Sequence, residues 1–202
     1  MSPTQPVAIC YAGLPGAGKS TAAEIGQDLL GGSMFNMGRA VRFAFKADYG
    51  ENGESQSLGR YASYRRDADG PGWVAQEMVD DWTGKGIQGE TFEVPFHVDG
   101  LRSPAELDVF DHYFGSVYLV YVHAPISTRL RRLRERQRDG EETFTMRDLE
   151  DRDLREIEWG AWELRTYSQA ELQNRWGKAD LRDQVEAAFD GFGLAFRPAS
   201  DL

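Results

Sequence analysis

Cysteine, histidine, lysine and long apolar runs are all scarce in this chain of 202 residues. Cys10 is the single cysteine, so no internal disulfide can form. Set inside an apolar run, it reads as a core residue of a protein held in a reducing compartment, and the expected location is the cytoplasm. The three histidines, His97, His112 and His123, lack metal-ligand spacing, and His97 and His123 read as strand residues without a catalytic role. No stretch approaches the roughly 18 apolar residues of a membrane helix, and Met1 to Pro6 lacks the basic, apolar, small-residue order of a signal peptide, so no membrane partner is expected. Basic residues are outnumbered 23 to 33, for a formal charge of −10, which argues against a surface built for nucleic acid or anionic lipid. Lysine occurs only at 19, 46, 85 and 178, so arginine supplies nearly all the positive charge. Cations for a phosphate ligand must therefore be gathered locally. An acidic, lysine-poor chain suits a salt-loving or high-GC organism.

What is present is organised around Gly13-Leu14-Pro15-Gly16-Ala17-Gly18-Lys19-Ser20, which follows the apolar run Val7 to Ala12 and precedes Thr21-Ala22-Ala23-Glu24-Ile25. The order is strand, glycine loop, helix. The pattern G-x-x-x-x-G-K-[ST] lets consecutive backbone N–H groups curl around a phosphate at the positive end of a helix. Gly13, Pro15, Gly16, Ala17 and Gly18 form the cradle, Lys19 reaches the outer phosphates, Ser20 offers a hydroxyl to Mg²⁺, and Thr21 adds a contact to the inner phosphate.

The helix from Lys19 is expected to run to Leu30, where Gly31-Gly32 ends it. Met34 to Met37 reads as a second strand. Between Gly38 and Gly89 the pattern is loosely helical, with segments Arg39 to Asp48, Ser57 to Arg66 and Trp73 to Trp82 separated by breaks at 50–54 and 70–72. Phe92 to Asp99 reads as a strand ending in a carboxylate, with Pro95 pushing its regular part towards Phe96 to Val98. A helix over Pro104 to Tyr113 follows, capped by Ser103. Ser116 to His123 is an unbroken apolar strand that suits burial on both faces. Ile126 to Gln137 reads as helix, Arg138 to Thr145 as loop, Met146 to Tyr167 as charged helix interrupted at Gly160, Ala170 to Arg175 as a last strand, and Lys178 to Phe189 as the last helix. Alternating strands and helices predict one α/β domain with a parallel sheet, and ligands bound beyond the carboxyl ends of its strands.

Three further constellations bear on chemistry. Val98-Asp99-Gly100-Leu101-Arg102 puts a carboxylate at a strand end, able to hold Mg²⁺ or accept a proton, with Arg102 as a phosphate clamp on the loop behind it. Arg129, Arg131, Arg132, Arg134, Arg136 and Arg138 crowd ten residues of one helix and the start of its loop; most suit a solvated face paired with Asp139, Glu141 and Glu142, while Arg129 is a candidate for neutralising phosphates. Arg147 to Gly160 alternates charges like an exposed helix, in which Arg152 and Arg155 lie one turn apart as candidate lid cations. In the helical stretch after the second strand, Arg39, Arg42, Arg60, Arg65 and Arg66 are candidates for an acceptor's phosphate. Tyr61, Tyr64, Trp73 and Trp82 suit a core more than a base-stacking platform.

With these motifs the chain resembles the P-loop nucleoside monophosphate kinase-like group, which includes adenylate kinase and dephospho-CoA kinase, and is most similar to an archaeal branch of it. Met37-Gly38, Val98-Asp99-Gly100-Leu101-Arg102-Ser103, Arg152-Asp153-Leu154-Arg155-Glu156 and Trp159-Gly160 carry that resemblance, over about Val7 to Ala188. It implies a three-layer α/β P-loop NTPase fold with a five-stranded parallel sheet of order 2-3-1-4-5. It also implies a helical acceptor-binding insert over about 38–89 and a lid over about 136–157. ATP with Mg²⁺ would bind at Gly13 to Thr21, and Asn174 and Gly177 match the loop that wraps the adenine. Two features differ: the group often has an acidic residue where this chain has Arg39, and adenylate kinase has D-G-x-x-R, one residue longer than the motif at Asp99.

The expected activity is transfer of the γ-phosphoryl group of ATP to a nucleotide or nucleotide-like acceptor. Lys19, Arg102, Arg129, Arg152 and Arg155 would neutralise phosphates, and Ser20 and Asp99 would hold the metal. Two other readings use the same residues: a dephospho-CoA or other small-metabolite kinase, and an ATP-hydrolysing regulatory or binding protein. A guanine switch is disfavoured, because Asn36, Asn52 and Asn174 are followed by Met, Gly and Arg rather than by Lys-x-Asp.

Overall fold

A computed structural model of the chain describes residues 6–50, 57–82, 94–137 and 141–196. Five strands, β1 (Val7–Ala12), β2 (Ser33–Asn36), β3 (Phe96–Leu101), β4 (Ser116–His123) and β5 (Ala170–Gln173), pair in parallel in the order β2-β3-β1-β4-β5. Helices α1 (Lys19–Leu30) and α9 (Lys178–Gly191) cover one face. Helices α2 (Met37–Tyr49), α3 (Leu58–Asp69), α4 (Trp73–Asp80) and α5 (Pro104–Tyr113) lie over the other. The fold is a three-layer α/β sandwich, as expected.

Side-chain alternation along the strands makes the two cores. Ala8, Cys10 and Ala12 of β1 face the α2–α5 layer with Leu119 and Tyr121 of β4, whereas Ile9 and Tyr11 face α1 and α9 with Val120 and Val122. Both faces being covered explains why β4 shows no polar alternation. Most aromatics of the insert are core: Tyr61 and Trp73 are buried and Trp82 packs on Phe35, Phe96 and Phe110, while Tyr64 is exposed. A third, smaller cluster of Leu130, Leu133 and Leu149 joins α6 (Ile126–Arg136) to α7 (Met146–Glu158).

Element boundaries differ from expectation mainly where a cap decides them. Asn36 ends β2 and caps α2, its Oδ1 accepting from the Arg39 N–H at 2.8 Å, so Met37 is the first helical residue rather than the last of a strand. β3 begins at Phe96, directly after Pro95, while Phe92 and Glu93 lie outside the described residues. α3 continues past Arg66 to Asp69. The charged stretch after Met146 breaks near Gly160 into α7 and a short α8 (Leu164–Tyr167). β5 stops at Gln173, which leaves Asn174 and Arg175 in the turn before α9. The pairs Ser103 with Glu106 and Thr145 with Asp148 form capping boxes that set the starts of α5 and α7. Among the described residues no helix is long and apolar enough to cross a membrane.

Candidate functional site at the carboxyl ends of the strands

The loop between β1 and α1 runs under the carboxyl edge of the sheet. Gly13 takes φ 137°, and a Cβ there would lie 2.2 Å from the Val122 carbonyl oxygen; at Gly18, with φ 105°, it would meet the Asn174 side chain at 2.1 Å. Side chains hold the loop from behind. Arg129 donates to the Pro15 carbonyl at 3.2 Å, Arg132 to that of Ala17 at 3.1 Å, and the Asn174 amide to Ala17 at 2.8 Å. The N–H groups in the first turn of α1, which a helix start leaves without intrahelical acceptors, suit an anion. Lys19 Nζ donates to the carbonyls of Gly13, at 2.7 Å, and Leu14, at 3.2 Å. Pro15, Gly16, Gly18, Lys19, Ser20 and Thr21 line a cavity of about 480 Å³ in front of the loop.

Asp99 enters this cavity from β3. Its Oδ2 accepts from Ser20 Oγ at 2.6 Å and from the Asn36 amide at 2.5 Å, while its buried Oδ1 has no hydrogen-bond partner among the described residues. A hydroxyl and a half-paired carboxylate suit a hard cation that keeps most of its ligands as water and phosphate oxygens, so Ser20 and Asp99 fit Mg²⁺. No cluster of three His, Cys, Asp or Glu side chains of metal-binding kind occurs among the described residues.

A second cavity, of about 780 Å³, opens beside the first. Val41, Phe45, Leu58, Ala62, Phe144 and Trp159 give it apolar walls, and Arg42, Lys46, Arg102, Arg152 and Arg155 make it cationic. Gly38, Arg42, Arg102, Glu141, Arg152 and Glu156 line both cavities and form the wall between them. The arginines are held by buried acids. Glu141 accepts from Arg136 at 2.8 and 2.5 Å and from Arg152 at 2.7 Å. Burial works to raise the Glu141 carboxyl, but hydrogen bonds from Arg136 and Arg152 outweigh it and hold it below the usual range. Burial likewise acts on Glu156 and is outweighed by Arg102, Arg152 and Lys19, leaving it an ionised carboxylate. Glu106, paired with Arg66 at the head of α5, accepts the Arg102 N–H at 2.6 Å and so fixes the backbone that carries Arg102. The guanidinium groups of Arg66, Arg102 and Arg155 surround the Trp159 ring at 4.8, 6.0 and 5.8 Å.

The tertiary structure therefore brings Lys19, Ser20, Thr21, Asp99, Arg42, Arg102, Arg152 and Arg155 to one double cleft. Outside the phosphate loop, seven expected site residues lie elsewhere, among them Arg65, held by Asp69 and Glu77, and Arg66, held by Glu106. Arg129 is buried with both guanidinium nitrogens on Asp153, at 2.8 and 2.6 Å, and lines neither cavity of that cleft. Arg39 and Arg60 are exposed and line neither, because the inward face of α2 is Gly38, Val41, Arg42 and Phe45, and that of α3 is Leu58, Gly59 and Ala62. Each stands about 100° around its helix from the nearest glycine of that face. Gly177 caps α9 outside both cavities, and Asn174, from the same turn, also lines neither: it is buried behind the phosphate loop, which it braces. Four residues were not singled out for roles they occupy here: Asn36, Arg132, Glu141 and Glu156. Only Asn36 had a local signal, as a cap-forming type before a helix.

Comparison with known proteins places this geometry in context. Over 160 residues the chain is 33% identical to a UPF0200 protein of Hyperthermus butylicus, covering 79% of this chain and 81% of that one. Over 153 residues it is 33% identical to a UPF0200 protein of Staphylothermus marinus, covering 75% of each. No family model matches the chain. TT1252 from Thermus thermophilus superposes with a TM-score of 0.62 at 15% identity, over 93% of this chain and 98% of that one. Shikimate kinase from Acinetobacter baumannii, solved with shikimate, gives 0.54 at 15% identity over 94% and 93%. These likenesses are of fold: the chain has the fold of P-loop kinases.

Proposed function

The chain belongs to the UPF0200 family, represented among archaea, and on that footing we propose that it is an ATP-dependent phosphotransferase that moves the γ-phosphoryl group to a nucleotide or nucleotide-like acceptor. One observation carries the reading: a phosphate-loop cavity and a larger cationic, partly aromatic cavity share a wall that contains Arg102, Arg152 and Glu156. ATP phosphates would lie in the first cavity against the N–H groups of loop 13–18, and Lys19 would exchange its two loop carbonyls for them. Ser20 and Asp99 would hold Mg²⁺, which when bound supplies charge neutralisation at the β- and γ-phosphates. The acceptor would occupy the second cavity, its apolar part against Phe45 and Trp159 and its anionic part against Arg42 and Arg155. Arg102 and Arg152 would stabilise charge on the migrating group in a closed, dry site, with α7 as the lid. In this reading Arg129 positions the loop and the lid rather than the phosphates, and Arg39 and Arg60 make no acceptor contact.

The test is incubation with ATP, Mg²⁺ and a panel of nucleoside monophosphates, their deoxy forms, dephospho-CoA and shikimate, following ADP and phosphorylated acceptor together. The expected result is one acceptor that accelerates ADP formation, with about one phosphorylated product per ADP. A slow ADP release that no acceptor changes would replace this reading with that of an ATP-hydrolysing regulatory protein.

A further inference from the structure

Three glutamates are buried around the cleft, and they differ in one respect. Glu106 has both oxygens engaged, by Arg66 on one side and by the N–H groups of Arg102, at 2.6 Å, and Ser103, at 3.2 Å, on the other. Glu141 has both engaged by Arg136 and Arg152. Glu156, only 3% exposed, has three cations within electrostatic reach yet among the described residues accepts a single long hydrogen bond, from Arg152 Nε to its Oε1 at 3.4 Å. Its Oε2 is buried and has no hydrogen-bond partner among the described residues. Arg102 Nε lies 3.5 Å away, an ion-pair distance without a hydrogen bond, and it too is buried with no hydrogen-bond partner among the described residues. An acid that only neutralised arginines would be saturated as the other two are.

An ion pair whose facing acceptor and donor make no hydrogen bond, in the wall between the two cavities, is complementary to a group that both donates and accepts. A carboxylate can only accept, so whatever meets Oε2 must bring a proton. A phosphate dianion brings none and adds like charge. An ammonium brings protons but would sit among Lys19, Arg102 and Arg152. A neutral hydroxyl satisfies both atoms.

Resting on the phosphotransferase reading, we propose that Glu156 is the catalytic base of this site and that the attacking group of the acceptor is a hydroxyl, not a phosphate. The hydroxyl donates to Glu156 Oε2 and accepts from Arg102 Nε. As its oxygen bonds to the γ-phosphorus, its proton passes to the Glu156 carboxylate. The bond from the γ-phosphorus to the bridging oxygen breaks, and the electron pair leaves on ADP. Products are a phosphate monoester, ADP and a protonated Glu156, which returns its proton to solvent when the cleft opens.

Water is the smallest hydroxyl and must obey the same rule, so the experiment does not depend on knowing the acceptor. Acceptor-free ATP hydrolysis and ATP affinity are measured with the full-length wild type, Glu156→Gln and Glu156→Asp, in Mg²⁺. Glu156→Gln should hydrolyse ATP about 100-fold more slowly or less, with Kd for ATP changed by no more than about threefold, and Glu156→Asp should recover part of the rate. With wild type, a 2′,3′-dideoxynucleoside 5′-monophosphate, which keeps the phosphate and lacks the ribose hydroxyls, should accept no phosphoryl group. Unchanged hydrolysis in Glu156→Gln, a rate loss matched by loss of ATP binding, or transfer to the dideoxy acceptor would overturn the base while leaving the phosphotransferase reading intact. A wild type that binds ATP and transfers to neither water nor any acceptor would overturn both.

Discussion

Desolvation in the cleft lowers the Lys19 ammonium to about 8, although Glu156 and Asp99 pull it the other way. Phosphate favours the charged lysine, so ATP affinity should be flat below that value and fall as pH rises through it. Above it, binding should take up a proton, because ATP restores the charge that the free protein has given up. Calorimetry near pH 8.5 in two buffers of different ionisation enthalpy measures this directly. We expect an uptake of about 0.8 proton per ATP for wild type, the deprotonated fraction at pH 8.5 of a lysine that titrates at about 8, and none for Lys19→Met. Equal enthalpies in the two buffers for wild type would refute the shifted lysine. The role of Lys19 was readable from eight consecutive residues, because a phosphate loop is local. Its electrostatic setting was not, since Asp99 and Glu156 reach it from β3 and α7.

At the level of elements, α7 is the instructive case. Its charges alternate as on a solvated helix, yet its buried positions are Leu149, Asp153 and Glu156, an i, i+4, i+7 stripe with one apolar residue and two acids. Hydrophobic periodicity cannot register such a stripe. Asp153 is matched by Arg129 of α6, and the pair ties α7 to α6 and, through the Pro15 carbonyl, to the phosphate loop. Breaking a buried pair strands a charge, so Arg129→Met and Asp153→Leu should each cost about 3–5 kcal/mol of stability. The double variant should be less destabilised than the sum of the two, because no charge is left alone. Urea unfolding of the four proteins gives the coupling; strict additivity would show that the pair does not act as a unit. Arg129 was legible as an arginine set apart from its neighbours, but its destination depended on an acid from another helix.

For the molecule as a whole, acid stability runs through the sheet. His97, in β3, is fully buried; one ring nitrogen accepts from the Tyr11 hydroxyl at 3.0 Å and the other donates to the Gly31 carbonyl at 2.9 Å. Burial pushes it down from 6.5 to about 4, against the Gly31 hydrogen bond. The unfolded chain therefore takes a proton first, and the contribution of neutral His97 is complete above 6.5 and lost as pH falls towards 4. Between pH 7 and 5 the loss should be about 2 kcal/mol. Urea midpoints at the two pH values, for wild type and His97→Gln, isolate it: the drop should shrink in the variant, and an equal drop in both would exclude His97 as its source. The overall charge of −10 and the cationic cleft coexist because the arginines around the wall are gathered by Glu106, Glu141 and Glu156 rather than spread over the surface.

The sequence by itself determined what short-range physics decides: the strand–loop–helix around Lys19, the covered strand β4, the helix capped by Ser103, and from their alternation and family likeness a parallel sheet of order 2-3-1-4-5. Tertiary structure alone decided which charges meet. Of nine arginines offered as phosphate ligands, Arg42, Arg102, Arg152 and Arg155 reach the cleft and Arg39, Arg60, Arg65, Arg66 and Arg129 do not. A charged side chain has no local signature for inside or outside. Its position follows from helix phase and from a partner far along the chain, and both are set only when the layers pack.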